Sequence, residues 1–271
     1  MPDNQIILIA FGLTILAGLS TGIGSLIGFF AKNTNTKFLS IALGFSAGVM
    51  IYIALVDIFM KAKDLLIAEL GATTGYWWTI AAFFGGIIFI AIIDRLIPNL
   101  ENPHELHKIE HIKHGEQCSK YKNLYKTGVF VALAIAIHNF PEGIVTFTAA
   151  LKVLNTGIAI AVAIAIHNIP EGIAVSVPIY FATKSKRKAF IYSFLSGVSE
   201  PVGALLGFIL LKNFFSDTLF GMLFAAVAGI MVFISLDELL PAAREHGDHH
   251  LSIYGLIAGM AVMAVSLVLF V

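Results

Sequence analysis

Two eleven-residue segments, AIAIHNFPEGI at 134–144 and AIAIHNIPEGI at 163–173, differ at a single position. Each carries the same polar set in an apolar setting: His138, Asn139 and Glu142 in the first, His167, Asn168 and Glu171 in the second. Positions i and i+4 share a helix face, so each His stands over its Glu, with the Asn turned about 100° towards a neighbouring helix. Imidazole and carboxylate suit Zn2+, Fe2+ or Mn2+, and amide oxygens make such a site looser and less selective. Glu200, in a later apolar run, adds a third carboxylate at a similar depth.

The elements that must hold these groups follow from composition. Only 13% of the 271 residues are charged and 58% are hydrophobic, too few charges to solvate a soluble domain of this size. The apolar residues come in runs near 5–31, 38–60, 76–97, 127–151, 157–181, 189–211, 219–241 and 251–271. A bilayer core about 30 Å thick needs roughly 20 helical residues per crossing. The expectation is therefore an all-α integral membrane protein of eight transmembrane helices, forming one domain over 1–271. A net charge of zero gives no basic footprint for nucleic acid. The lone Cys118 excludes an intrachain disulfide framework.

Positive charge sets the orientation. With the N-terminus outside, the inner segments carry 13 of the 17 Lys and Arg residues, and Lys61, Lys63, Lys152 and Lys212 lie outside. Both termini are expected to face outward. The two HNxPEG motifs, on consecutive spans of opposite direction, each lie roughly 15–18 Å into the membrane and meet near its midplane. A second similarity links the chain's ends. LAGLSTGIGSLIGF (16–29) matches LSGVSEPVGALLGF (195–208), and AGVMIYIALVD (47–57) matches AGIMVFISLDE (228–238). Spans 1–3 and 6–8 then form an inverted repeat around spans 4 and 5, as in many secondary transporters.

A charge at mid-bilayer costs at least about 2.5–3.5 kcal/mol on insertion scales. No Lys or Arg lies mid-span to offset the three carboxylates, so a cation, a proton or a wet path must. Pro141 and Pro170 remove helical hydrogen bonds beside the ligands, which predicts kinked, locally unwound backbone lining a cavity.

The doubled HNxPEG, with eight spans and a His-bearing third loop, resembles the ZIP family of metal transporters, and within it the bacterial ZupT/GufA-like branch. The resemblance covers the whole chain. It implies uptake of divalent metal ions through a site of His138, Asn139, Glu142, His167, Asn168 and Glu171, with Glu200 completing a second, bridged metal position. It further implies a bacterial plasma-membrane location, a homodimer and no bound cofactor. The animal branch carries an HExPHE-type motif in span 5, absent here, which suits a broader spectrum than zinc alone.

Other acidic and His residues fall around this centre. Asp57 near one end of span 2, and Asp237 with Glu238 near the other membrane face in span 7, would make electronegative mouths that concentrate cations. His104, His107, His111 and His114 lie in a cytoplasmic loop at about 98–126 and could take metal after passage. A metal-selective channel would use the same ligands. An intramembrane zinc enzyme would need an HExxH helix, and HNFPE and HNIPE are not that motif, so an enzyme is not expected.

Overall fold

The computed structural model describes residues 4–30, 36–96, 117–211, 216–246 and 249–269. Every element within them is helical: α1 (Asn4–Phe30), α2 (Thr36–Tyr52), α3 (Phe59–Leu70), α4 (Ala72–Leu96), α5 (Gln117–Lys152), α6 (Leu154–Thr183), α7 (Lys186–Leu211), α8 (Asp217–Ile234), α9 (Leu240–His246) and α10 (His249–Leu269). Seven stretches among the described residues are long and apolar enough to cross a membrane. The 36-residue α5, which carries the first HNxPEG, lies between the third and fourth of them. Large apolar side chains such as Leu8, Trp77, Phe84, Ile88, Leu210 and Val265 are exposed along these helices. Water would penalise that surface and hydrocarbon does not; the protein is an integral membrane protein.

The helices extend beyond the expected spans at two polar ends. The apolar run of span 2 stops at 60, but helix continues through α3 to Leu70, so Lys61 and Lys63 are helical rather than in a loop. The loop expected over 98–126 ends earlier, because α5 begins at Gln117. Hydropathy marks where a helix leaves the bilayer, not where it stops, and so it misses both ends. At Gly71, φ +81 and ψ 161 turn α3 into α4, a conformation that side-chain-bearing residues rarely adopt.

Irregular backbone lies elsewhere than the prolines suggest. Helices α5 and α6 run without a break through Pro141 and Pro170. Instead α2 passes into α3 through a π-helical segment, Ile53–Ile58, and α8 into α9 through another, Ser235–Leu239. Such segments are rare and favour functional sites.

Packing divides the helices into two groups. In one, α1 and α5 each pack against both α6 and α7. In the other, α2 packs on α10, and α3 and α4 on α8 and on each other. The groups meet chiefly along α2 and α6, and less along α5 and α8. Apolar burial exerts little force between helices in lipid, so close backbone approach takes over. Gly18 of α1 and Gly197 of α7 sit on one another: a Cβ on either would strike the other's carbonyl. Gly48 and Gly259 interlock α2 with α10 against Leu256 and Phe45, and Gly229 and Gly86 interlock α8 with α4 against Phe83 and Ala226.

Candidate metal site

Helices α5 and α6 form a hairpin joined by the single extended residue Val153 (φ −142, ψ 110), which runs their motifs in opposite directions. The hairpin brings Glu142 of α5 to His167 of α6, Oε2 to Nε2, at 3.4 Å. Both are inaccessible, as are Asn139, Asn168, Glu171 and Glu200. The side chain of His138 lies outside the described residues, as do all of His104, His107, His111 and His114.

Backbone carbonyls of neighbouring helices fix the two amides. Asn168 Nδ2 donates to the Ala17 carbonyl of α1 (3.0 Å) and to Glu200 Oε1 of α7. Asn139 Nδ2 donates to the Ser196 carbonyl of α7 (3.4 Å). With the NH2 groups committed, Asn139 Oδ1 and Asn168 Oδ1 have no partner among the described residues, and the same holds for Glu142 Oε1 and Glu200 Oε2. An amide nitrogen cannot ligate a cation and an amide oxygen can. The anchoring therefore leaves the ligating atom of each Asn available. Four buried oxygens without donors would be costly in a purely structural core.

The three carboxylates bury no compensating cation: neither Lys nor Arg occurs among the described buried residues. Yet the acidic and His groups do not all converge. Among the described residues no three His, Cys, Asp or Glu side chains stand close enough to enclose an ion. They pair off instead, Glu142 with His167 and Glu200 with Asn168.

The outlying acids stand apart from this pair. Asp57, half-buried in the first π segment, is ion-paired to Lys61 at 2.7 Å. Asp237, exposed, and Glu238, half-buried, lie in the second π segment. Thus each π segment carries carboxylate, on a helix of the group that does not hold the motifs.

Two supporting serines are not visible in the sequence. Ser46 of α2 donates to the His167 carbonyl at 3.3 Å. Ser193 of α7 reaches the Thr21 carbonyl at 3.1 Å and the Gly172 carbonyl at 3.3 Å. A serine in an apolar run carries no signal of where its hydroxyl will land.

Comparison with known proteins gives one consistent result. The family model described as ZIP Zinc transporter matches residues 95–267. A protein of Lysinibacillus sphaericus named Zinc transporter ZupT is 65% identical, over 98% of both chains. Proteins of the same name from Oceanobacillus iheyensis and Clostridium perfringens are 63% and 58% identical, over 98% of this chain and 99% and 97% of theirs.

Proposed function

This chain belongs to the ZIP family of zinc transporters, and on that premise we propose that it carries Zn2+ through the bacterial plasma membrane by way of the α5–α6 midplane. It is a transporter and not an enzyme. The observation that carries the reading is the set of buried carboxylate and amide oxygens left without donors, where no Lys or Arg is buried among the described residues. Divalent cations satisfy such oxygens, and hydrocarbon does not. His138, Asn139, Glu142, His167, Asn168 and Glu171 are the proposed ligands, with Glu200 as a third carboxylate able to join a second ion. Mixed N and O donors also admit Fe2+ and Mn2+.

In this reading α5 supplies an eighth crossing, and α1–α4 and α7–α10 are inverted copies around α5 and α6. Paired contacts support it. Asn168 bonds Ala17 as Asn139 bonds Ser196. Gly172 lies against the Thr21 carbonyl as Gly143 lies against that of Glu200, and Gly24 meets Ile169 as Gly203 meets Phe140. The π segments fall at matching places in the two similar stretches, 47–57 and 228–238. Transport is then movement of the α1, α5, α6 and α7 group against the rest, exposing the site to each side in turn. Asp57, Asp237 and Glu238 would line the approaches. The His residues of the inner loop would receive the ion, with both termini outside and flux inward.

Radiolabelled zinc flux into liposomes holding the pure protein tests this, with Fe2+ and Mn2+ as competitors. Saturable zinc entry that both ions reduce is expected. Absence of protein-dependent entry would reject the proposal. Entry unaffected by Fe2+ or Mn2+ would restrict it to zinc.

A further inference from the structure

Of the five buried threonines among the described residues, three satisfy their hydroxyls in the same way, and Thr21 and Thr146 have no partner. Thr14, Thr79 and Thr148 each donate to the carbonyl four residues back, at 2.7, 2.8 and 2.7 Å. Of the two without a partner, Thr21 of α1 is the one whose carbonyl packs on an HNxPEG motif, at Gly172. Its own acceptor, the Ala17 carbonyl, is taken by Asn168 Nδ2 and Ser20 Oγ. Thr21 Oγ1 is left fully buried with no partner among the described residues. It faces α7, where a Cβ on Gly197 would come within 3.0 Å of it.

The paired contacts place Thr21 on α1 where Glu200 stands on α7. The Thr21 carbonyl abuts Gly172, and the Glu200 carbonyl abuts Gly143. From its place Glu200 reaches Asn168 directly. The corresponding reach from Thr21 leads towards Asn139, but a threonine side chain is too short to repeat it. Asn139 Oδ1 is likewise buried without a partner among the described residues. Two neutral oxygens thus remain where full symmetry would have set a second carboxylate.

We propose that the Thr21 hydroxyl extends the midplane site at Asn139 Oδ1 into a neutral station for the transported cation, beside the carboxylates Glu142, Glu171 and Glu200. The proposal rests on the midplane site above. Neutral oxygens accept a partly hydrated ion but hold it weakly, directly or through its waters. A carboxylate at position 21 would instead bring a fourth negative charge and trap the ion. Thr21 is accordingly a specificity and release residue, whose neutrality keeps the bound ion exchangeable.

The test separates binding from flux on the full-length protein. Thr21→Val keeps the shape and removes the hydroxyl, Thr21→Ser keeps the hydroxyl, and Thr21→Glu restores the missing charge. Flux through Thr21→Val should fall about tenfold, as for a lost supporting contact, while equilibrium zinc binding changes far less. Thr21→Ser should recover flux. Thr21→Glu should bind zinc about tenfold tighter, as added ligand charge does, and turn over more slowly. Normal flux in Thr21→Val, equal impairment of the Val and Ser variants, or unchanged affinity in Thr21→Glu would each overturn the proposal. Glu142→Ala serves as the control for the underlying site. Lost zinc binding there, with Thr21→Val unaffected, rejects the neutral station alone. Normal zinc binding in Glu142→Ala rejects the midplane site itself, and the station with it.

Discussion

Glu142 and His167 share a contact at 3.4 Å between two helices that meet only through their hairpin and their packing. Each residue therefore depends on the other motif for its environment, and on the function proposed above the two motifs act as one site. Glu142→Ala and Glu171→Ala should each lower zinc flux at least about a hundredfold, as loss of a ligand at a buried metal position does, with protein still folded in the membrane. Near-normal flux in both variants would remove these residues from the pathway. Glu200→Gln keeps the size and the Asn168 contact while removing one charge. It should still bind one zinc but fewer ions in total, which metal counting on the purified variant can decide. Unchanged stoichiometry would make Glu200 structural.

At the scale of elements, the neighbouring Gly85 and Gly86 of α4 offer an internal comparison. A Cβ on Gly86 would strike the Ala226 carbonyl of α8, whereas nothing lies within 4 Å of one on Gly85. Gly86→Ala should destabilise the detergent-solubilised protein by about 1–3 kcal/mol through forced separation of α4 and α8. Gly85→Ala should be neutral, or stabilise by up to about 1 kcal/mol through helix propensity. Equal melting temperatures for the two variants would mean that α4 and α8 pack more loosely than this. The sequence displays these glycines and the duplicated motif clearly, because each is written in residue types with few other uses. The helix extensions at 61–70 and 117–126 stay hidden behind Lys and Asp, which hydropathy cannot tell from a loop. The π segments stay hidden too: IALVDI and SLDEL contain no Gly or Pro to mark them. The prolines that promise irregular backbone lie inside continuous helix.

Over the whole molecule, polar side chains tie the two helix groups together near the site and at one helix end. Ser46 reaches the His167 carbonyl. Lys152, last residue of α5, meets Asp217, first of α8, at 2.8 Å and lies 5.7 Å from the Phe220 ring centroid. Each charge also favours the helix end it occupies, cation at a C-terminus and anion at an N-terminus. If one group moves against the other, this pair must break in one state and form in the other. An exposed pair is worth about 0.2–1 kcal/mol, enough to shift a balanced equilibrium about 1.4- to 5-fold. Lys152→Asp alone should move the state distribution, read by the accessibility of an introduced cysteine, and Lys152→Asp with Asp217→Lys should restore it in part, because the swapped charges sit at the less favourable helix ends. A double variant no closer to the parent than the single would mean the pair does not govern the equilibrium.

The two π segments bear on the protein's past. A π segment is what an α-helix becomes when one extra residue is inserted and the flanking turns are kept. Ile53–Ile58 and Ser235–Leu239 occupy the same place in the two similar stretches, although most of their residues differ. On the repeat proposed above, two independent insertions at one position are harder to accept than a single insertion in a shorter ancestor, before that ancestor was duplicated and fused to itself. On that reading each copy has kept the extra residue, in a segment that still carries an acidic side chain. Deleting the exposed Val56 should let the first segment relax to plain α-helix while the turns on either side keep their faces. A deletion variant that folds but no longer transports would show that what has been inherited is the widened turn itself, whereas normal transport would make it a harmless relic.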